Sequence, residues 1–195
     1  DLHSFPTRRS SDLHIALSTS SCGAGTSVPA ATTDGTSAVR TLPVGSVYLL
    51  ECAGTPPADT AVTLTAGTAR LIALRHPPPE QALFALIEFP AGAFKVDSGT
   101  AVQVAIRPRP GLYGIDLESD APFSGVRITF KYARHYAAPL EVERRPGGDA
   151  AFEQTLAVAW LREGTAYLLA STRGASDNLS AVVKDPGRYV VAGPK

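Results

Sequence analysis

The sequence has no methionine, one tryptophan and two cysteines, and it carries no net charge. Each scarcity excludes something. The 18 Lys and Arg residues balance the 18 Asp and Glu residues, so no electrostatic field draws the chain to nucleic acid or to an anionic membrane. Cys22 and Cys52 lie far apart with no nearby ligand pair, which is not a zinc pattern. No apolar run approaches the roughly eighteen residues of a transmembrane helix. The Gly-x-Ser-x-Gly nucleophile elbow, the phosphate loop and the dinucleotide glycine pattern are all missing. No repeat of fixed period is visible. The sequence therefore gives no reason to expect a cofactor, a metal or a nucleic-acid partner.

Residues 1–13, DLHSFPTRRSSDL, match the one-frame translation of a short-read sequencing adapter. They are expected to be an artefact, so Arg8-Arg9 is neither a twin-arginine export signal nor a basic arm. Removing Asp1, Arg8, Arg9 and Asp12 leaves the charge neutral. Residues 14–39 read as a signal-peptide remnant and a flexible tether. Leu17 through Gly23 resembles the end of a lipoprotein signal, with Cys22 as the residue to be lipidated, although Thr19 stands where such boxes usually carry Leu. The Ala, Thr, Ser and Gly that follow have the composition of a tether. A lipid at Cys22 would hold the domain at a membrane surface without a spanning segment. The competing use of Cys22 is a disulfide with Cys52. If Cys22 is lipidated, Cys52 is a small buried hydrophobe. Arginine far outnumbers lysine and alanine is abundant, which reads as a GC-rich bacterial genome.

Residues 40–195 are long enough for one domain with its own core. Gly and Pro are abundant, and short apolar runs alternate with turn signals. In Thr100 to Arg107, Val102, Val104 and Ile106 share one side. In Val126 to Tyr132, Ile128, Phe130 and Tyr132 do. Such alternation predicts half-buried antiparallel strands. Further strands are predicted at Val47–Cys52, Ala61–Thr65, Arg70–Arg75, Phe84–Phe89, Leu112–Leu117, Leu140–Glu143, Leu156–Leu161, Tyr167–Ser171 and Arg188–Ala192. Pro77-Pro78-Pro79, Pro108-Arg109-Pro110-Gly111, Pro146-Gly147-Gly148-Asp149 and Asp185-Pro186-Gly187 mark turns or rigid spacers. Only Asp149–Arg162 could support a helix, and Val158 and Trp160 at period two argue against a long one. The predicted class is all-β, an antiparallel β-sandwich with a flexible N-terminal tail.

From about Phe89 to Ala192 the chain resembles the ZU-five-type β-sandwich of ankyrins, netrin receptors and zonula-occludens scaffolds, and most of all its bacterial envelope versions. Phe89-Pro90-Ala91-Gly92-Ala93-Phe94 is similar to the family's apolar-Pro-x-Gly-Ala-apolar turn, and a Thr-led strand, Thr100 to Ile106, follows it. Pro122-Phe123 with the Val126–Tyr132 strand, and Gly187-Arg188-Tyr189-Val190-Val191-Ala192, resemble the next and the closing elements. Some relatives of this fold cut themselves at His-Phe-Ser before the last strand. Asp185, Pro186 and Gly187 occupy that place here and supply no hydroxyl or thiol nucleophile. The resemblance therefore implies no self-cleavage, and the tripeptide makes a good turn.

Asp116, Glu118 and Asp120 are the chief candidates for chemistry. On a continued strand all three share a face opposite Ile115 and Leu117, where they could form a ligand or calcium face or an acid–base pair. A solvated strand face explains them more simply, and no Asp-x-Asp-x-Asp-Gly loop is present. His76 and His135 have no ligand partner at helical or hairpin spacing and are expected in surface loops. Tyr132, Arg134 and Tyr136 form either a contact surface or, more simply, a strand end packing its aromatics on the core. Asn178-Leu179-Ser180 fits a glycosylation acceptor that a bacterial source would leave unused. The expected function is a non-catalytic structural or binding module, exported to the cell envelope, with an unknown protein or glycan partner. The alternative is a hydrolase or carbohydrate-active accessory protein using the acidic face.

Overall fold

Alternation decides most of the architecture. In β6 (Ala101–Pro108), Val102, Val104 and Ile106 are at most 2% exposed while their neighbours face solvent. A computed structural model describes residues 38–132, 138–144, 146–175 and 178–195, with side chains from residue 40 onward. The expected artefact, the signal remnant with Cys22, nearly all of the tether, and Arg134, His135 and Tyr136 lie outside the described residues.

The remaining strands are β1 (Ala38–Pro43), β2 (Val47–Leu49), β3 (Thr60–Thr65), β4 (Arg70–Arg75), β5 (Leu83–Phe89), β7 (Gly114–Ser119), β8 (Val126–Lys131), β9 (Ala157–Arg162), β10 (Thr165–Leu169), β11 (Ser171–Thr172), β12 (Asn178–Val183) and β13 (Gly187–Pro194). Helices α1 (Leu140–Glu143) and α2 (Gly148–Thr155) lie between β8 and β9. An eight-stranded sheet runs β1-β10-β9-β13-β7-β6-β3, with β2 beside the end of β13. A five-stranded sheet runs β11-β12-β8-β5-β4. Every pairing is antiparallel. The inner faces of both sheets share one apolar core. The fold is thus all-β with two antiparallel sheets, as in a β-sandwich.

The core is built around aromatic contacts. Phe84 stacks on Tyr113 at 5.5 Å and meets Phe130 edge-on at 6.1 Å. Phe89 stacks on Phe94 at 5.5 Å and meets Phe123 edge-on at 6.2 Å. Burying each such ring is worth about 2–3 kcal/mol. A second, smaller cluster of Val47, Ala159, Ala166, Leu168, Val190 and Ala192 occupies the opposite face of the larger sheet. Its members alternate with core residues along β9 and β13, so Leu42, Val44 and Leu49 of the β1–β2 segment must cover them.

Three expectations need correction. Leu140–Glu143, predicted as a strand, is helix α1. It buries only Val142, Leu140 stays 69% exposed, and Pro139 caps a first turn that carries Glu141 and Glu143. Four residues are too few for period to distinguish strand from helix, and acid at a helix start is favourable. β12 was not predicted as a strand, yet Leu179, Ala181 and Val183 point inward from it, and Asn178 pairs with Lys131 at its head. β1 begins at Ala38 and overlaps the last residues assigned to the tether. The segments carrying the family resemblance fall on the β5–β6 turn, on β6, on β8 with the residues before it, and on β13.

Candidate functional site

The alternation of β7 puts Asp116 and Glu118 on one face, and the strand ends before Asp120. Ile115 and Leu117 are fully buried, and Asp116 and Glu118 point away from them. Each acid there already has a partner. Asp116 sits between two arginines. Arg188 Nε donates to its Oδ1 at 2.7 Å and Arg188 Nη2 to its Oδ2 at 3.2 Å, while Arg109 Nη1 reaches Oδ2 at 3.2 Å. Burial alone would raise the Asp116 pKa, but the Arg188 hydrogen bonds and the charges of Arg188 and Arg109 outweigh it and hold the carboxyl below its ordinary value. Glu118 accepts from Arg107. Asp120 lies past the end of the strand and accepts the Gln103 N–H at 2.9 Å. Glu118 and Asp120 border a shallow open groove of about 360 Å³, with Gln103 and Ser119, and Asp116 lies outside it. Among the described residues no three His, Cys, Asp or Glu side chains gather as metal ligands would.

His76 differs from expectation. It is 4% exposed, its Nδ1 lies 2.9 Å from the Thr55 carbonyl oxygen, and its ring meets Phe84 edge-on at 5.5 Å. The reason is legible in β4: Ile72 and Leu74 point inward, and His76 continues their parity one step beyond the strand. Cys52 is a buried thiol, and burial raises its pKa against a hydrogen bond from Tyr113. Tyr132 is buried at the end of β8 as the packing interpretation expects. It donates to Glu153 Oε1 of α2 at 2.6 Å and accepts from Arg173 Nη1 at 2.6 Å.

A further site was not visible in the sequence. Trp160 on β9 stands directly opposite Tyr167 on β10 and Tyr189 on β13. The Trp160 and Tyr167 rings are 5.5 Å apart and tilted by 40°. Both are half-buried. Together with Leu169, Val183, Lys184, Asp185 and Tyr189 they line a partly open cavity of about 160 Å³ beside the β12–β13 turn, which crosses from the smaller sheet to the larger. Leu169, Val183 and Tyr189 are buried, whereas Lys184 and Asp185 are exposed at the rim. The Tyr189 hydroxyl donates to the Asp185 carbonyl at 2.5 Å, which anchors that rim. Burial, followed by the Asp185 charge, pushes the Tyr189 pKa upward, so the hydroxyl keeps its proton. Gly187 belongs to the same construction: a Cβ there would overlap the Trp160 indole nitrogen. Arg162 lies over the indole, 5.6 Å from the ring centroid. Only strand pairing brings these residues together, so composition and period could not reveal them.

No family model matches the chain, and neither the curated proteins nor the solved structures compared with it give a match. The functional reading therefore rests on the residues themselves. No helix among the described residues is long and apolar enough to cross a membrane.

Proposed function

We propose that the chain is a non-catalytic binding module of ZU-five-like β-sandwich type, carried by an exported protein of the bacterial cell envelope. The observation that carries the non-catalytic part is the clamp on Asp116. A general acid must hold a proton near neutral pH, and a general base must have a free lone pair. Asp116, ionised and gripped by Arg109 and Arg188 through three hydrogen bonds, has no proton to give and is a weakened base. The binding part is supported by the small, mostly apolar cavity at Trp160 with a few polar groups at its rim. The alternative, a hydrolase or carbohydrate-active accessory protein, draws on the groove beside Glu118 and Asp120.

A variant with Asp116, Glu118 and Asp120 all changed to Ala separates the two. The wild type is expected to release no product from a panel of chromogenic glycosides and esters, and calcium is expected to leave the melting temperature of both proteins unchanged. Turnover that the triple variant loses would sink the non-catalytic reading. A calcium-dependent melting shift lost in the variant would make the acids a ligand face. Envelope anchoring is tested separately. Cys22→Ser is expected to move the protein from the membrane to the soluble fraction of the expressing bacterium, and an unchanged distribution would argue against lipidation.

A further inference from the structure

We infer that the Trp160 cavity takes one pyranose ring of a neutral glycan. This rests on the binding-module reading and names its ligand class. Size comes first. A closed cavity of about 150 Å³ accepts benzene, and this one measures about 160 Å³ but opens at its rim, so it takes the ring of a sugar with the hydroxyls reaching out past Lys184 and Asp185. Its walls come next. Trp160 and Tyr167 present aromatic surface, and the weakly positive C–H bonds of a sugar's apolar side suit the negative face of such rings.

The rim decides between ligands. Among the described residues, neither the Lys184 ammonium nor the Asp185 carboxylate has a hydrogen bond or ion pair. At the rim, Lys184 and Asp185 thus offer one donor and one acceptor beside an apolar floor. Hydroxyl groups both donate and accept, so a sugar ring answers both. A phenylalanine side chain of a partner protein would answer neither, and a tyrosine brings a single hydroxyl where a sugar brings several. An ammonium ligand would suit Asp185 but would meet the charges of Lys184 and Arg162. The walls are also fixed in advance. Trp160 is held in register between Tyr167 and Tyr189 with Gly187 against its pyrrole ring, so binding need not order them.

Trp160 is the only tryptophan, so its fluorescence reports on this cavity alone. The intact protein is titrated with D-glucose, D-galactose, D-mannose and N-acetyl-D-glucosamine, with choline and phenol as the cationic and aromatic probes. At least one sugar is expected to shift the emission saturably, with choline and phenol giving no saturation. Asp185→Asn and Tyr167→Ala are each expected to weaken that sugar at least tenfold. Asp185 is exposed, so its variant tests the site even if the Tyr167 variant folds poorly. Absence of saturation by all four sugars, saturation by choline or phenol instead, or an affinity indifferent to Asp185→Asn would overturn the inference. New reducing ends appearing from an added oligosaccharide would overturn the binding-module reading itself, which keeps the two failures distinct.

Discussion

Arg188 on β13 and Asp116 on β7 stand directly opposite each other in the strand register, and the guanidinium grips the carboxylate through two hydrogen bonds of 2.7 and 3.2 Å. The pair ties β13 to β7 at the centre of the larger sheet. It also turns the acid that best suggested chemistry into a crosslink. Two-point arginine–carboxylate contact fixes geometry as well as energy.

That crosslink sets an acid-side dependence. The folded-state pKa of Asp116 lies below its ordinary value. Its contribution to stability is therefore complete above the unfolded pKa of about 4 and is lost as pH falls through the lower folded value. Asp116→Asn is expected to lower stability at neutral pH by about 0.5–1 kcal/mol, with the difference from wild type closing toward the acid end. Urea midpoints measured stepwise from neutral to strongly acidic buffer check this. A constant gap at every pH would mean that the pair contributes no proton-linked stability.

Tyr132 sets the opposite limb. Burial, then its hydrogen bond to Glu153, raises its pKa to about 12. A raised phenol pKa means that its contribution is complete below the unfolded value of about 10 and is lost as pH climbs through the folded value. Tyr132→Phe is expected to cost about 1 kcal/mol at neutral pH and to flatten the alkaline limb. Phenolate absorbance, followed together with circular dichroism, should show one late-titrating tyrosine fewer in the variant.

Gly114 tests the closeness of β7 to β13. It pairs with Val190, and a Cβ there would stand 2.7 Å from Val190 Cγ1 and 3.1 Å from the Tyr189 carbonyl oxygen. Backbone cannot yield as a side-chain tip can, so Gly114→Ala is expected to cost about 1–3 kcal/mol. Gly45, with nothing within 4 Å of an added Cβ, is the control, and its alanine variant is expected to be near neutral. Equal melting temperatures for the two variants would contradict this account.

These sites show what the sequence could and could not reveal. Val102, Val104 and Ile106 announce their strand because each buried apolar residue has a polar or small neighbour on either side. In β4 the exposed Leu71 beside Ile72 blurs the pattern, but the parity of Ile72 and Leu74 still extends to His76, which its type and the following prolines disguised as a loop residue. Asn178 and Ser180 hid β12 because half-buried polar residues break an apolar count. The acids of β7 were legible as a face but not as a clamp, because Arg188 reaches Asp116 from 72 residues away. Trp160, Tyr167 and Tyr189 were invisible as a group for the same reason: register, not period, puts them side by side.

Gly187 offers a direct probe of that register. Gly187→Ala is expected to push the indole away from β13, lowering stability by about 1–3 kcal/mol and shifting Trp160 emission to the red as water reaches the ring. Emission spectra of the folded variant, taken with a melting curve, provide the check. An unshifted spectrum would show that the indole does not depend on the missing Cβ.

The central place of β13 bears on how the chain comes to be folded at all. It is the shared neighbour of β9, β7 and β2, yet among the described strands it is the last to be made. At roughly 5–20 residues per second, a ribosome needs several seconds to travel from β7 to β13. During that interval β7 and β9 each present an open edge with no strand to close it, the condition in which strands pair with the wrong chain. The nascent polypeptide must then either be shielded by a chaperone or stay unfolded until the closing strand emerges.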